Sequence, residues 1–263
     1  MKKIIASCLA ISLLAGANAQ QKEGKVIYER TVKMQFSFNA DGGEPPPVTQ
    51  TRSNKFEMNF ANNQMILKQM EEEMQDDNIN SGGMVIRTIG GGTDDATYCD
   101  FSKEWRVESR EFFDKKFLIG DTIRSSNWKL TDETKTILNH PCRKATTQRI
   151  GKRMIMSMDN GKMERKEVDD TTTIIAWFTS DIPVPAGPEA QGQLPGLILE
   201  LITNNGRTTF VALEVTSKPD LAAIKEPTKG KKVTPAEFTK ERNKMMEEMQ
   251  RNNQGGNFQI RMN

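Results

Sequence analysis

The stretch that most constrains the fold is QLPGLILELI, residues 193–202. Pro195 has no N–H to donate to a β-ladder, so it suits the beginning of a strand, and Gly196 permits a sharp turn into that strand. In an extended segment, successive side chains point to opposite faces. One face then carries Leu197, Leu199 and Leu201, and the other carries Ile198, Glu200 and Ile202.

The residues on either side of this strand predict a β-hairpin and a stiff approach to it. Asn204-Asn205-Gly206 is a tight-turn sequence, and the chain returns from Arg207 to Val215. Upstream, three prolines fix φ between Asp181 and Pro188 and predict an extended strap. The strap could be an exposed recognition ribbon, but we favour a crossover over the end of a sheet.

The remaining pattern predicts an all-β domain. Val26, Tyr28, Arg30 and Val32 share one face of a first strand, and tight turns predict hairpins around residues 62–63 and 159–161. Many short strands joined by hairpin turns favour one mainly antiparallel domain over residues 20–217. We expect a curved meander sheet or an open half-barrel, the latter by likeness to envelope lipoprotein carriers.

The C-terminal part changes character. Residues 218–233 form a basic connector interrupted by Pro and Gly. Thr234 and Glu237 then form a capping box, with Val233 and Phe238 at the staple positions. This pattern predicts a helix from Pro235 to about Arg251, within a C-terminal segment of residues 234–263 that ends in a polar tail.

Residues 1–19 are predicted to be a signal peptide. A lysine pair precedes the apolar residues 4–14, and Ala17-Asn18-Ala19 provides small residues for cleavage after Ala19. This apolar run is too short to span a membrane, and no later segment approaches that length. We therefore expect an exported protein that does not span the membrane and that resides in the periplasm, at the outer membrane or outside the cell.

Charge and composition exclude a nucleic-acid partner. The chain has 37 Lys and Arg against 35 Asp and Glu, and two of the lysines belong to the predicted signal peptide. The mature chain is thus close to neutral and lacks the basic footprint of a nucleic-acid-binding protein. The hydrophobic share of 36% fits a sheet with one solvent-facing side.

Several short motifs occur in an order that resembles the GLPGLI family, secreted β-rich proteins of diderm bacteria whose function is not established. They are W-K-L at 128–130, E-T-K-T-I at 133–137, C-R-K-A at 142–145, A-W-F-T at 176–179, D-I-P at 181–183, G-P at 187–188 and L-P-G-L at 194–197. This chain has Gln193 where the family name has its first Gly, and its hairpin between Ala145 and Ala176 is longer than in many members.

The resemblance implies a structural signature and brings no catalytic residues. The signature residues are Trp128, Lys135, Lys144, Trp177, Asp181, Pro183, Gly187, Pro188, Leu194, Pro195, Gly196 and Leu197. The Leu, Ile, Pro and Gly residues of the stretch 193–202 offer no proton, nucleophile or metal ligand. Any chemistry must therefore come from neighbouring side chains.

Cysteine and histidine usage limits the chemistry further. In an exported chain, Cys99 and Cys142 are a candidate disulfide, and the alternative is two separately buried thiols. The single histidine, His140, excludes a His-rich metal site, and no G-x-S-x-G or H-E-x-x-H motif is present. We therefore expect no cofactor and no metal. Asp181 and Glu200 are the carboxylate pair to test for hydrolysis.

These observations favour a non-catalytic, exported binding or accessory protein of the cell envelope. Its partner would be an outer-membrane transport protein or another envelope protein, or a small apolar ligand held on the concave face of the sheet. An envelope hydrolase and a purely structural interaction protein are the alternatives. A dry apolar groove favours the first function and a pocket with convergent carboxylates favours the hydrolase. A sheet without a groove favours the structural role.

Overall fold

Alternating side chains build a strand-rich structure, seen in a computed structural model that describes residues 21–36, 48–70, 95–159 and 162–253. The predicted signal peptide lies outside the described residues. The strands are β1 Gly24–Phe36, β2 Val48–Ala61, β3 Gln64–Gln69, β4 Ala96–Asp100, β5 Trp105–Phe112, β6 Lys115–Thr122, β7 Lys129–Ile137, β8 His140–Asp159, β9 Lys162–Thr179, β10 Leu197–Thr203, β11 Thr208–Thr216 and β12 Lys231–Val233. One helix, α1, spans Pro235–Asn253 in this part of the chain.

The twelve described strands form a single open sheet. Their order is β12-β6-β5-β4-β3-β2-β1-β11-β10-β9-β8-β7, and every neighbouring pair is antiparallel except β12 and β6. Two meanders, β1 to β6 and β7 to β11, are joined where β1 pairs with β11. The predicted all-β, mainly antiparallel, open architecture with one C-terminal helix is confirmed.

The hairpin turns follow from the conformational freedom of asparagine. Asn204 and Asn205 have φ of 51° and 55° between β10 and β11, and Asn62 and Asn63 have φ of 52° and 59° between β2 and β3. Asparagine tolerates this left-handed region better than other non-glycine residues because its short side chain can hydrogen-bond locally. The signature hairpin is confirmed.

One face of the sheet carries the main core, which we call the core face. Its central strands contribute fully buried side chains, including Val26, Tyr28, Met58, Met65, Ala176 and Leu201. The proline strap, residues 180–196, lies against this face through Ile182, Val184, Ala186, Ala190 and Leu194. The expectation that the strap crosses over an end of the sheet was therefore wrong, because its apolar side chains bury against the face itself.

A β-bulge changes the alternation predicted for β10. Ile198 pairs with Phe178, while Glu200 pairs with Trp177, so Leu199 is the extra residue. Ile198 and Leu199 are both buried, at 1% and 0% exposure. Strict alternation, which places Ile198 on the face opposite Leu199, is therefore interrupted here, and Gly187 of the strap covers Ile198.

The predicted start of α1 is confirmed in detail. The Glu237 carboxylate accepts a 2.8 Å hydrogen bond from the Thr234 backbone N–H, and the Glu237 N–H donates to the Thr234 hydroxyl at 3.3 Å. The helix packs on β6 and β12 in a small cluster formed by Phe112, Phe117, Ile119, Val233 and Met245. The Phe117 and Phe238 rings meet edge to face at 5.3 Å.

The structure does not contain the candidate disulfide. Cys99 lies on β4 and Cys142 on β8, with six strands between β4 and β8 in the sheet order, and both thiols are free and buried. A disulfide requires Cα atoms within about 7 Å. The two separately buried thiols, the alternative to the bridge, are what the structure contains.

Two pairs of strands extend beyond the sheet as two-stranded arms. The β1–β2 pair continues past Val32, the last partner of β11, to Phe36 paired with Val48. The β8–β9 pair continues past Thr146, the last partner of β7, to Asp159 paired with Lys162. The antiparallel order places both arms at the same end of the sheet, which we call the arm end.

Candidate functional site

Three polar residues from separate signature motifs meet on the face opposite the core. Lys135 of β7 donates a hydrogen bond to the Glu200 carboxylate of β10. The Lys135 ammonium lies 4.4 Å from the ring centroid of Trp177, a cation–π distance. Because Lys135 is two strands from β9 and three from β10, its long side chain connects three strands across the sheet.

A second lysine completes this signature cluster. Lys144 of β8 lies 6.0 Å from the Trp177 ring and donates a 2.8 Å hydrogen bond to Glu133. The two carboxylates compensate the two ammonium groups, and both ammonium groups lie near the Trp177 ring. The cluster thus explains why Lys135, Lys144 and Trp177 occur together in the sequence: they are one cross-strand network.

The carboxylate pair selected for hydrolysis is not assembled for that chemistry. Asp181 has a half-exposed side chain, and its carboxylate lies 3.7 Å from His140 Nδ1. Glu200 is engaged by Lys135 on the sheet. Each carboxylate therefore has a separate partner, and neither lines the main groove described below.

The apolar signature residues shape the strap. A Cβ on Gly196 would lie 2.1 Å from the Thr179 carbonyl oxygen, and one on Gly187 would lie 2.6 Å from the Ile198 Cβ. Only glycine allows these close approaches. Leu194 and Leu197 are buried in the core, whereas Pro183 is partly buried and Pro195 is exposed. Pro188 is buried next to Glu189.

The departure from the family name at position 193 has a structural partner. The Trp128 indole N–H donates a 2.9 Å hydrogen bond to the Gln193 side-chain oxygen. This contact joins the segment before β7 to the end of the strap. Tryptophan buries a large ring and uses its N–H to find a polar partner, and Gln193 provides that partner here.

The main groove lies on the core face, towards the arm end of the sheet. Its volume is about 350 Å³. It combines an apolar floor with charged side chains from three strands, from Asp95 just before β4 and from the strap. The lining consists of Arg30, Phe56, Leu67, Gln69, Asp95, Ala96, Thr97, Arg106, Glu108, Ser109, Arg110, Arg149, Glu189, Gln191 and Phe210.

Arg30 is the most constrained charge in the groove. Its guanidinium stacks over the Phe56 ring at 4.8 Å, and one Nη donates to the Asn54 side chain at 3.3 Å. The Nε is buried without a hydrogen-bond partner among the described residues. Burial lowers the pKa of Arg30, and the neighbouring Arg52 and Arg110 act in the same direction.

Glu108 stands between two other arginines. It accepts hydrogen bonds from Arg110 at 2.9 and 3.1 Å, and its other oxygen lies 3.3 Å from Arg106. The two Arg110 N–H groups share one carboxylate oxygen, and the other oxygen faces Arg106, so both oxygens of Glu108 are engaged. Arg106 also lies 4.0 Å from Asp121. This wall of the groove is therefore a fixed ion-pair network.

Glu189 enters the groove from the strap. Its φ of 54° is left-handed, and it lies between buried Pro188 and Ala190. Burial in the groove raises the pKa of the Glu189 carboxyl, while Arg149, Arg30 and Arg110 oppose the rise. Glu189 as a residue is nevertheless exposed to solvent, so its carboxyl is crowded by neighbouring atoms at the edge of the groove and remains accessible.

A second, smaller cavity adjoins the groove. Its volume is about 70 Å³, and it shares Arg149 and Glu189 with the groove. Trp128 and Gln193 lie on its far side. The hydrogen-bonded pair that holds the end of the strap is thus next to the charges of the groove.

Sequence reasoning selected the signature cluster and missed the groove. Arg30 carried a signal, since it follows Val26 and Tyr28 on a face that is otherwise apolar. Arg149 likewise follows the buried Ala145 and Thr147 at alternate positions of β8. No local pattern connects these residues with Glu189, because the strap and the two strands meet only through the long-range order of the sheet.

Two features are absent from the described residues. No group of three or more His, Cys, Asp and Glu side chains in this part of the chain is placed to hold a metal ion. No helix within the same ranges has the length and apolar character needed to cross a membrane.

Comparison with known proteins places the similarity in the second half of the sheet. A family described as "Protein of unknown function (Porph_ging)" matches residues 128–200, within the stretch that carries the GLPGLI resemblance. No curated protein matches the chain.

Two solved structures are similar to the chain at low identity. "Structure of PNGF-II in P21 space group" has 16% identity and a TM-score of 0.49, covering 83% of this chain and 32% of that one. "Structure of PNGF-II in C2 space group" has 17% identity and a TM-score of 0.45, with 82% and 32% coverage. The chain spans about a third of the length of these two structures, and over residues 128–200 it is similar to a family of unknown function.

Proposed function

We propose that the protein is an exported, non-catalytic binding module of the cell envelope and that the groove on its core face holds the ligand. The observation that carries this proposal is the groove itself, about 350 Å³ in volume with polar groups converging on an apolar floor. That volume lies in the usual range for small-molecule sites, roughly 300–1,000 Å³.

The lining favours a polar ligand over a purely apolar one. Four arginines and three carboxylates surround the groove, and they would have to lose water to enclose an apolar molecule. A ligand that offers acceptors to the arginines replaces that water with hydrogen bonds. We therefore replace the small apolar ligand expected from the sequence by a polar one.

Export and an envelope partner are parts of the same proposal. They are supported by the signal-peptide pattern at residues 1–19 and by the resemblance to secreted proteins. An outer-membrane transport protein or another envelope protein would receive or supply the ligand. The two arms at the arm end stand near the groove and offer a contact surface for such a partner.

The test fills the groove with a large side chain and asks which small molecules still co-purify with the protein. Thr97 of β4 faces the groove, between Leu67 and Glu108 on the adjacent strands. Thr97→Trp should fill the groove. Thr209→Trp is the matched control because Thr209 pairs with Thr31 and Ile202, whose side chains point to the opposite face.

The measurement is mass spectrometry of small molecules released from each variant after purification from its native envelope. We expect a species that accompanies the parent and Thr209→Trp but is absent from Thr97→Trp. Identical small-molecule contents in all three proteins, with matching thermal melting, would contradict the proposal.

A hydrolase is the second candidate, supported by one specific observation. Glu108 and Glu189 line the same groove, and their environments differ. Arg106 and Arg110 both pair with the Glu108 carboxylate, whereas burial raises the pKa of the Glu189 carboxyl. Two carboxyl groups in one groove, one paired with arginines and the other with a raised pKa, are an arrangement that general acid–base hydrolysis can use.

Matched variants separate the two candidates. Under the binding proposal, Glu189→Gln and Glu108→Gln change ligand affinity, and no envelope component is converted to product by the parent. Under the hydrolase alternative, Glu189→Gln retains the accompanying species and abolishes its turnover. Mass spectrometry of native envelope extract incubated with parent or variant distinguishes these outcomes.

A further inference from the structure

We infer that the groove takes a small organic anion whose carboxylate or phosphate group is bound by Arg30 and Arg149, an inference that rests on the proposed binding function. Both arginines occupy equivalent places in the sheet. Each follows two buried residues at alternate positions on the core face: Val26 and Tyr28 precede Arg30, and Ala145 and Thr147 precede Arg149.

A charged residue at such a position interrupts the apolar core on this face of the sheet. An apolar side chain in place of Arg30 would continue the core next to Phe56 and Phe210, whereas the guanidinium places a charge there. Its Nε is buried without a partner, which is costly because a buried donor loses its hydrogen bonds to water. The rest of the guanidinium lines the groove, where an acceptor supplied by a ligand would pair with its charge.

The carboxylates that line the groove do not serve as acceptors for Arg30 and Arg149. Glu108 is already held by Arg106 and Arg110, and the Asp95 carboxylate accepts the Glu111 backbone N–H at 2.8 Å. Glu189 influences Arg30 and Arg149 electrostatically. Within the described residues, however, it forms no ion pair with either of them at 4.0 Å or less.

The geometry of arginine defines the ligand's charged end. A guanidinium is planar, weakly hydrated and matched to the two oxygens of a carboxylate or phosphate. The Phe56 and Phe210 rings, whose centroids are 5.8 Å apart, and the Leu67 side chain provide an apolar surface beside Arg30. The groove therefore suits an oxyanion attached to a carbon body, rather than a bare inorganic ion.

Calorimetric titration of the mature protein tests this inference with three probes of similar shape. Benzoate and phenyl phosphate carry the two candidate oxyanions, and benzamide is the neutral counterpart. We expect benzoate or phenyl phosphate to bind and benzamide to bind at least about tenfold more weakly, the difference typical of a charge-assisted contact. The stronger of the two anions identifies the oxyanion class.

Variants connect the binding to the proposed residues. Arg30→Gln and Arg149→Gln should each weaken anion binding roughly 10- to 100-fold. Arg124→Gln is the control, because Arg124 is exposed beyond the end of β6, at the end of the sheet opposite the arms. Arg149 is exposed, so its replacement tests the inference even if Arg30→Gln fails to fold.

The outcomes separate this inference from the proposed function. Equal binding of benzamide and the anions would contradict the inference that the ligand is an anion. Anion binding that is unchanged in both arginine variants would contradict the assignment of Arg30 and Arg149 as its binding residues. If none of the probes binds, the anion inference also fails. The binding function still stands if Thr97→Trp loses the material that accompanies the parent.

Discussion

The Tyr28 hydroxyl donates a 2.6 Å hydrogen bond to the Ile198 carbonyl, joining residues 170 positions apart in the sequence. Tyr28 is completely buried on β1, and Ile198 is at the bulge of β10, with β11 between the two strands. Burial raises the pKa of the Tyr28 phenol well above its usual range, so the group remains a donor. This bond ties the bulge of β10 to β1 across β11.

Tyr28→Phe should therefore destabilise the protein by roughly 1–3 kcal/mol, the cost of leaving a buried acceptor unsatisfied. Urea unfolding followed by tryptophan fluorescence measures the loss. Tyr98→Phe is the control, since it removes a hydroxyl from β4 that does not take part in this contact. Equal stability of Tyr28→Phe and the parent would show that water replaces the phenol.

Burial at the bulge predicts similar losses at its two apolar positions. Ile198→Ala and Leu199→Ala should each lower the free energy of unfolding by roughly 2–5 kcal/mol, because both side chains are buried. Ile202→Ala should cost less, since that residue is only partly buried. Urea denaturation of the three variants provides the comparison. A small loss at Ile198 would mean that the strap does not cover it.

Gly196 should be intolerant of alanine because of space, not because of its backbone angle. Its φ is not among the left-handed glycine values, but an added Cβ would meet the Thr179 carbonyl at 2.1 Å. We expect Gly196→Ala to cost roughly 1–3 kcal/mol, as overpacking does. Gly151→Ala is the matched control in open space and should be neutral in thermal melting. Equal melting of the two variants would contradict the close approach.

Local patterns predicted the local elements of this fold. The turn at Asn204-Asn205-Gly206 and the capping box at Thr234 each depend on a few consecutive residues, and the structure contains both. The conformation of these residues is determined by neighbouring backbone groups and side chains. The sequence alone was therefore sufficient for them.

The groove depends on relationships that no short segment contains. The β1–β11 pairing joins the two meanders, and the strap then brings Glu189 beside Arg30 and Arg149. The bulge at Leu199 also interrupts the period-two rule used for β10. Alternation predicted which residues point towards the core, but it could not predict that two arginines would remain there around an open groove.

The two buried thiols should be inert in the folded protein and reactive once it unfolds. Burial raises the pKa of Cys99 to about 12 and that of Cys142 to about 11, so neither forms the reactive thiolate near neutral pH. Iodoacetamide should label both cysteines of the mature protein in denaturant without reductant, but label neither in buffer. No labelling of the unreduced, denatured protein would show that the two cysteines are bridged, which contradicts the two free thiols described above.

The capping box predicts an acid-sensitive helix start. The hydrogen bond from the Thr234 backbone N–H lowers the pKa of the Glu237 carboxyl in the folded protein, and the Thr234 hydroxyl adds a smaller effect in the same direction. A lowered folded pKa adds stability that is fully present above the unfolded pKa and is lost as pH falls through the folded value. Protection of the α1 amides from hydrogen exchange, corrected for intrinsic rates, should therefore fall below about pH 4.5, the ordinary pKa of this carboxyl. Glu237→Gln should remove this pH dependence, whereas Glu248→Gln, three turns further along the helix, should retain it. An unchanged acid response in Glu237→Gln would assign the effect to another carboxyl.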